Sequence, residues 1–287
     1  MILVHYTPAG LKRTADIQDT LHGATCMLVG GSPSLLEQNI GLLGDRGVLS
    51  MAMNNAALHF KPTLWVSGDR PECYEPRILL DPSIMKFGIV SHAETQLDAR
   101  YNNLRYHQMP NQYFYIPEDN VPCDEYLANR RSVPWYNNTL FVAIHLLYRL
   151  GVRRIILAGS DFGFQKGNVY AHKTALNTDE QKWNRDLYNS QAYELRRLKP
   201  LFDKHGLELY DSSLNSRVSQ VYRHVTLEEA VAMCKTGFPA KNADPKDLPH
   251  CSKFAPPEVK EQIARWPGYL PTTNEPAPQR RTRKKVL

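Results

Sequence analysis

Short apolar runs that end in small polar residues recur along this chain, and they constrain its fold more than any other feature. The runs cover residues 25–31, 48–53, 64–69, 87–91, 153–159 and 207–213. Helical patterns lie between several of them, most clearly at residues 139–150 and 179–205, and a Thr226–Glu229 capping box opens a shorter one. Apolar strands that alternate with helices predict a largely parallel sheet covered by helices. The predicted fold class is therefore α/β, as a single Rossmann-like domain.

Length and composition set the predicted domain boundaries. The 287 residues are enough for one full core, whereas two equal domains would be cramped. Residues 1–22 are assigned to an N-terminal arm, 23–236 to a nucleotide-binding transferase domain, and 237–287 to a C-terminal extension rich in Pro, Lys and Arg. From about residue 267 the extension is predicted to be disordered, because it is too polar and proline-rich to bury a core.

The segment of residues 94–133 is aromatic and weakly periodic. Such a segment is either a mobile lid over a ligand or an excursion packed against the sheet. We favour the packed interpretation, because aromatic connections usually bury their rings.

Positive charge is concentrated at the C-terminal end of the chain. The formal net charge is +6, and five positive side chains lie at Arg280, Arg281, Arg283, Lys284 and Lys285. A fold that binds nucleic acid spreads its charge over a folded face. Contact with nucleic acid or another polyanion is therefore predicted only for the tail.

The sequence also bears on location and redox chemistry. It contains no apolar window long enough to span a membrane, and its first twenty residues lack the apolar stretch of a signal peptide. A cytoplasmic protein is therefore expected. The five cysteines are dispersed and form no CxxC pair, so the sequence supports neither a disulfide framework nor a structural zinc site.

The loop of residues 30–35, with the sequence GGSPSL, carries the strongest local signal of a ligand site. Ser32 before Pro33 suits a helix N-cap with proline at the first helical position, and Ser34 with Glu37 offers an alternative capping box. Either arrangement predicts free amides at the sheet edge, and the two glycines would let a phosphate or carboxylate approach the backbone. The loop matches neither the GxGxxG nor the Walker motif. A plain strand-to-helix connection is the structural alternative.

Small polar residues also follow the other predicted strands. They are Asn54, Asn55, Asp69, Ser160, Asp161, Asp211, Ser212 and Ser213. Each one alone is a common turn or cap residue. Because ligands bind outside the carboxyl ends of strands in a doubly wound sheet, the array as a whole predicts a binding cleft at that edge.

The GGSPSL loop resembles the G-x-G-P-S-L loop of two related groups of proteins. One group is the bacterial sialyltransferases of glycosyltransferase family 42. The other contains flagellin-modifying motility accessory factors and archaeal 6-hydroxymethylpterin pyrophosphokinases. The resemblance implies a single nucleotide-binding α/β domain, which agrees with the fold predicted above.

Two further segments extend the resemblance over most of residues 25–234. Residues 139–162 resemble the helix and Gly-x-Asp-Phe strand of the sialyltransferases, and the match continues through residues 167–170. Residues 209–217 and 227–230 are similar to the carboxyl end of the accessory-factor group.

The resemblance implies roles for the residues that match its motifs. The cofactor-binding set comprises Gly30, Gly31, Ser32, Ser34, Asn54, Asp69, Thr139 and Ser160, of which the loop residues would hold the donor's phosphate and sugar. Thr139 stands where the sialyltransferases have a serine near the base. Asp69 matches an aspartate of the accessory-factor group and could bind Mg²⁺ or ligand hydroxyls, with a simple turn as the alternative.

The catalytic set is Tyr170, Asp161 and His172. Tyr170 matches one of two tyrosines that hydrogen-bond the leaving phosphate, but Gly163 replaces the second tyrosine. The family's catalytic histidine falls on Asn189, and asparagine cannot take up a proton near neutral pH. His172 is therefore the candidate general base, with an exposed loop histidine as the alternative.

Three functions remain open at this point. The first is a glycosyltransferase with a nucleotide-sugar donor, of which a CMP type is favoured, and a hydroxyl-bearing acceptor. The second is a Mg²⁺-dependent pyrophosphokinase of the 6-hydroxymethylpterin type, which would need Asp69. The third is a binding or assembly protein that kept the fold and lost turnover, consistent with Gly163 and Asn189.

Overall fold

A computed structural model describes residues 2–7, 10–45, 47–128, 131–136, 138–164, 170–171 and 177–237. The basic tail, nearly all of the predicted C-terminal extension and the candidate base His172 lie outside the described residues. The strands are β1 (Ile2–Tyr6), β2 (Lys12–Asp16), β3 (Thr25–Val29), β4 (Ser50–Met53), β5 (Leu64–Val66), β6 (Met85–Ile89), β7 (Gln112–Tyr115), β8 (Pro117–Glu118), β9 (Val133–Pro134), β10 (Arg154–Ala158) and β11 (Glu208–Asp211).

Helices connect these strands. The α-helices are α1 (Pro76–Leu79), α2 (Thr139–Arg149), α3 (Thr178–Lys204) and α4 (Leu227–Gly237). Short 3-10 helices span Pro33–Glu37, Ile40–Gly44, Asn54–Leu58, Pro71–Cys73, Val90–His92, Ala99–Tyr101, Tyr106–Gln108 and Cys123–Glu125. The predicted capping box is present before α4, where the Thr226 amide donates to Glu229 and the Glu229 amide donates to the Thr226 hydroxyl.

The main sheet has nine strands in the order β11-β10-β3-β4-β5-β6-β7-β1-β2. The strands from β11 to β7 are parallel, whereas β1 pairs antiparallel with both β7 and β2. Successive strands run from β3 toward β7, and the chain later returns to the other side of β3 with β10. The strand order therefore reverses between β3 and β10. This arrangement confirms the predicted α/β class and contains all six predicted strands.

Both faces of the sheet are covered. Cys26, Leu28 and Ile155 face a core shared with α2 and α3, whereas Met27 and Ile156 face a second core that includes α4. Strands that are buried on both faces read as continuous apolar runs rather than as alternating patterns. This double burial explains why the sequence revealed these strands.

The edge strand β2 lacks this signal, unlike its neighbour β1, where Leu3 and Val4 are buried in different cores. In β2 only Ala15 is buried, and Lys12, Arg13, Thr14 and Asp16 are exposed. One buried residue in five gives no periodicity that would distinguish a strand from a polar loop. Both strands come from the segment assigned to the N-terminal arm.

The aromatic segment of residues 94–133 is packed. The side chains of Tyr101, Tyr106, Tyr113, Tyr115 and Tyr126 are fully buried. The Tyr126 hydroxyl donates to the Phe141 carbonyl of α2, and the Tyr115 hydroxyl donates to the Ser67 carbonyl. The packed interpretation is confirmed for the described residues of this segment.

Gly30 and Gly159 lie directly after β3 and β10, where the two backbones approach closely. A Cβ atom added at Gly30 would lie 2.5 Å from the Gly159 carbonyl oxygen, and one added at Gly159 would lie 2.7 Å from the Gly30 oxygen. Gly159 also has a φ of +57°, which disfavours any other residue. These two glycines are therefore required by the fold itself.

We expect Gly30→Ala to lower the free energy of unfolding by about 1–3 kcal/mol, because the added methyl group overpacks a site bounded by rigid backbone. Urea unfolding measures the change. Gly44→Ala is the matched control, since a Cβ atom there meets nothing within 4 Å. Equal stability of the two variants would show that β3 and β10 separate without cost.

Candidate functional site

The candidate site lies at the carboxyl edge of the parallel strands, where β3 and β10 adjoin. Ligands of open α/β sheets bind in the crevice outside the strand ends at the point where the strand order reverses. Since α2 and α3 each lead back to the start of a parallel strand, both helices begin at this carboxyl edge. Their first turns thus border the crevice.

The GGSPSL loop is joined to the end of β10 by hydrogen bonds. The Ser32 amide donates to the Gly159 carbonyl (2.9 Å), and the Asp161 amide donates to the Ser32 hydroxyl (3.2 Å). The Ser34 amide donates to one Asp161 carboxylate oxygen (3.2 Å), and the Ser34 hydroxyl donates to the other. These four bonds hold the loop in one position relative to β10.

This geometry corrects part of the sequence-based expectation. Ser32 does occupy the N-cap position with Pro33 behind it, but its side chain makes no capping bond, and the helix that follows is a single 3-10 turn. The Ser34 amide, expected to be free for a ligand, is satisfied by Asp161 instead. A buried carboxylate takes the place that a bound anion would occupy.

Asp161 is 1% exposed, so it cannot offer an open face to a ligand. Burial raises the pKa of its carboxyl above the usual range, while the bonds from Ser34 oppose that shift. Ser160 is also buried, and its amide donates to the Ser213 hydroxyl (2.9 Å). Asp161 therefore fixes the position of the loop, and Ser160 joins the end of β10 to Ser213, which follows β11.

Gly31 is the position where the loop is open. A Cβ atom added at Gly31 would have as its nearest neighbour the Ala56 amide nitrogen, 4.0 Å away. The Gly31 carbonyl accepts a hydrogen bond from the Ala171 amide (2.8 Å), which brings Tyr170 to the same place. The space beside Gly31 is thus bordered by β3, the turn after β4 and the segment that carries Tyr170.

The first half of α3 lines this space with polar side chains. The Tyr170 hydroxyl donates to the Asn184 side-chain oxygen (3.0 Å). Tyr188 lies one turn further along the same face. Burial raises the pKa of the Tyr188 hydroxyl, with smaller contributions from the neighbouring Tyr170 and Asp161. Tyr170 therefore joins the face of α3 that carries Asn184 and Tyr188 to the open loop at Gly31.

Asn54 and Asp69 are brought together by Tyr74. The Tyr74 hydroxyl lies 3.0 Å from the Asn54 side-chain oxygen and 3.4 Å from an Asp69 carboxylate oxygen, and it also bonds to the Ser67 hydroxyl. The Asp69 amide donates to the Ser67 hydroxyl, which closes the turn. Asn54 begins the 3-10 helix that contains Ala56, the residue whose amide nitrogen lies nearest to a Cβ atom added at Gly31.

Metal binding at Asp69 stays a prediction. Within the described part of the chain, no three His, Cys, Asp or Glu side chains lie together in a way that could hold a metal ion. Asp69 is exposed and offers Mg²⁺ a single carboxylate, so donor phosphates would have to supply the other oxygen ligands. The donor set does not fit a metal centre held by the protein itself.

Thr139 is the first residue of α2, next to the N-cap Asn138, whose side chain accepts from the Leu140 amide (2.7 Å). It thus lies at the carboxyl edge, half-buried. Trp135, just before it, packs over Gly68: a Cβ atom at Gly68 would lie 2.0 Å from the indole ring. The Trp135 indole therefore packs between the turn that follows β5 and the start of α2.

Non-glycine residues with left-handed backbone occur at this edge. They are Asn54 (φ 51°), Tyr136 (φ 43°) and Phe162 (φ 53°). This conformation is uncommon for aromatic residues and persists only where the surrounding structure imposes it. Strained backbone of this kind clusters at binding sites, which supports assigning a function to the edge.

Three residues at the site were not identified from the sequence: Asn184, Tyr188 and Arg217. The inward face of α3 changes from polar residues, Asn184 and Gln191, to the apolar residues Leu195, Leu198 and Phe202. That change marks where the helix leaves the core and borders the crevice. Together with the position of α3 before a strand, it is a signal that sequence reasoning could have used.

The fold is that of a doubly wound α/β protein, and the candidate site lies at its switch point between β3 and β10. No protein-family model and no curated protein matches the chain. Among solved structures, the chain matches the MAf glycosyltransferase from Magnetospirillum magneticum AMB-1 with a TM-score of 0.44 and 14% identity, over 78% of this chain and 39% of that one. The match thus spans well under half of that enzyme's length.

The chain also matches the sialyltransferase CstII from Campylobacter jejuni, whose structure contains the substrate analogue CMP-3FNeuAc. The TM-score is 0.40 and the identity 15%, over 69% of this chain and 85% of that one. Both groups that the sequence motifs resemble are represented by these structures. In the described part of the chain, no helix has the length and apolar character needed to cross a bilayer.

Ser34→Ala should destabilise the protein by about 1–3 kcal/mol near neutral pH, because a buried carboxylate loses a hydrogen bond. The Ser34 hydroxyl favours the ionised form of Asp161, so its removal raises the pKa of that carboxyl further. The loss of stability should therefore be small where Asp161 is protonated and should grow as the pH rises through the raised pKa.

Urea unfolding between about pH 4 and pH 7 tests this dependence. Ser212→Ala is the control, because that buried hydroxyl donates to the neutral Leu157 carbonyl (2.9 Å) and its loss should not vary with pH. A constant difference between wild type and Ser34→Ala would contradict the assigned bond.

Proposed function

We propose that this protein is a transferase that uses a nucleotide-activated donor, and specifically that it transfers a glycosyl group to a hydroxyl acceptor. The observation that carries the proposal is the open backbone at Gly31, at the switch point of the sheet. A phosphate approaches a backbone most closely where no side chain stands. The donor proposed from the sequence resemblance is a sugar nucleotide of the CMP type.

The surrounding groups suit a phosphate that becomes negatively charged during the reaction. Tyr170 lies beside the open loop, next to Ala171, whose amide donates to the Gly31 carbonyl. In this proposal the Tyr170 hydroxyl exchanges the hydrogen bond to Asn184 for one to the donor's phosphate. In glycosyl transfer, the bond between the anomeric carbon and the phosphate oxygen breaks and its electron pair moves to the phosphate. The acceptor oxygen forms the new bond to that carbon and gives its proton to a base. Hydrogen-bond donors that the protein holds in place before the reaction stabilise the negative charge that develops on the phosphate.

Asp161 and Ser34 act in this proposal by holding the loop rather than by contacting the reacting atoms. The Ser34 hydroxyl and amide are both engaged by Asp161, and both residues are buried. A loop that is fixed in advance loses little conformational freedom when the donor binds. This changes the role expected for Asp161 from a catalytic to a positioning one.

The pyrophosphokinase alternative has less support from the described residues. Phosphoryl transfer from ATP relies on metal ions that bridge the phosphates. The crevice offers one exposed carboxylate, Asp69, and it already interacts with the Tyr74 hydroxyl. We therefore propose glycosyl transfer in preference to phosphoryl transfer.

A binding protein without turnover is supported by one observation. Asn189, which stands where the resemblance expects a histidine, accepts a hydrogen bond from Arg217 (2.5 Å) and cannot act as a base. His172 is still the proposed base, and its replacement by alanine would abolish transfer without affecting donor binding. If the protein only binds its ligand, the His172→Ala variant behaves as wild type.

The cytoplasmic location also stays a proposal.

Donor binding is tested by thermal shift with CMP, CDP, UDP, GDP and ATP, each with and without Mg²⁺. A nucleotide at about one hundred times its dissociation constant should add about 2.7 kcal/mol of apparent stability. Gly31→Val should abolish this gain while leaving the unliganded protein folded, because its side chain enters open space that the phosphate would fill. Gly44→Val is the control, since that glycine is equally open and lies in a different 3-10 helix.

The outcomes separate the candidates. Stabilisation by cytidine nucleotides without metal supports the glycosyltransferase. Stabilisation by ATP only in the presence of Mg²⁺ would replace it with the kinase. The nucleotide proposal fails if no nucleotide stabilises the wild type, or if Gly31→Val responds as strongly as the control.

A further inference from the structure

Arg217 is fixed beside the end of β10. Its amide donates to the Asp161 carbonyl (3.4 Å), and its own carbonyl accepts from the Arg196 guanidinium of α3 (2.7 Å). The backbone of Arg217 is therefore tied both to the residue that holds the GGSPSL loop and to the helix that borders the crevice. The side chain starts from a defined position at the site.

The Arg217 guanidinium lies next to Gly163 and binds Asn189. Its Nη1 atom donates to the Asn189 side-chain oxygen (2.5 Å). A Cβ atom added at Gly163 would lie 3.4 Å from Nε and 3.5 Å from Nη2. A large side chain at Gly163 would compete for this space. These are the two positions at which the chain departs from the resembling transferases.

The positive charge of Arg217 has no acidic partner among the described residues. Arg217 is exposed, and among the residues that the structure describes no carboxylate forms an ion pair with it. The nearest acid along its contacts, Asp161, directs both carboxylate oxygens to Ser34 and is buried. A guanidinium held by a neutral amide keeps free N–H groups, and these bind phosphate oxygens in a bidentate manner.

Arg217 and Tyr170 each bind a residue in the same stretch of α3. Tyr170 bonds to Asn184 and Arg217 bonds to Asn189, and these two helix positions are about 7.5 Å apart along the axis. Tyr188 lies between them and interacts with both Tyr170 and Asp161. Arg217 is also tied to the GGSPSL loop through Asp161, whose carbonyl accepts from the Arg217 amide and whose carboxylate accepts from Ser34.

We infer that Arg217 binds the phosphate of the donor nucleotide and stabilises it as the leaving group. The inference rests on the proposed function, since it names the group that holds the donor's phosphate. The guanidinium stands where the resemblance expects a tyrosine and a histidine, and it supplies a full positive charge in place of a neutral hydroxyl. The electron pair released from the anomeric carbon moves to a phosphate oxygen beside this charge.

The test compares Arg217→Gln with Arg217→Lys and with Arg13→Gln. Arg13 is an exposed arginine on β2 at the opposite end of the sheet, so its variant removes the same charge far from the site. Isothermal titration measures the affinity for CMP, for cytidine and for inorganic pyrophosphate. Melting temperatures establish that each variant is folded.

We expect Arg217→Gln to weaken CMP and pyrophosphate binding at least tenfold and to leave cytidine binding unchanged. Arg217→Lys should recover part of the affinity, because it keeps the charge but loses the bidentate geometry. Arg13→Gln should bind all three probes as wild type does. If Arg217→Gln does not fold, Asn189→Ala replaces it as the test, because it removes only the hydrogen bond that holds the guanidinium. This variant should weaken CMP binding and leave cytidine binding unchanged.

Other outcomes overturn the inference. If a folded Arg217→Gln binds CMP with wild-type affinity while Gly31→Val fails to bind it, Arg217 does not contact the phosphate. The proposed function would then still stand. Pyrophosphate binding that depends on Arg217, without any binding of nucleotides, would keep the anion site and end the proposed function. Equal losses for CMP and cytidine would show that Arg217 only supports the fold.

Discussion

The interaction on which the candidate site depends is the bond between Asp161 and Ser34, which links the ends of two strands that are distant in sequence. Asp161 follows β10 and Ser34 follows β3, 127 residues apart. A buried carboxylate without partners would cost several kcal/mol. Because the loop supplies an amide and a hydroxyl to Asp161, the loop and the strand end must fold together. The shape of the crevice is therefore decided by the same contact that satisfies a buried acid.

The fold could be predicted from the sequence because its central strands are buried on both faces. Residues 26–29 and 155–158 read as unbroken apolar runs, and the helices between the runs carry clear periodicity and caps. The same reasoning overlooked β1, although its residues 2–4 are apolar and Leu3 and Val4 are buried. It also overlooked the edge strand β2, in which Ala15 is the only buried side chain. An edge strand is defined by backbone pairing with its neighbour, which leaves little trace in side-chain pattern.

The candidate site was predictable in position but not in detail. The small polar residues after the strands located the crevice, because parallel strands bring their carboxyl ends to one edge. The sequence could not show that Ser34 is occupied by Asp161, since that bond depends on how two strand ends are placed in space. It could not identify Arg217 either, because the guanidinium acts at the site through contacts with Gly163 and Asn189, which are remote in sequence.

Helix α3 joins the crevice to the core in one continuous element. It has 27 residues and is about 40 Å long. Asn184 and Tyr188 lie in its first half, while Leu198 and Phe202 are buried in the core beside the sheet. Because an α-helix is stiff, a change in tilt at Leu198 would move Asn184 and Tyr188 with it. Packing around Leu198, well away from any ligand, sets how accurately the tyrosine and asparagine groups are aimed.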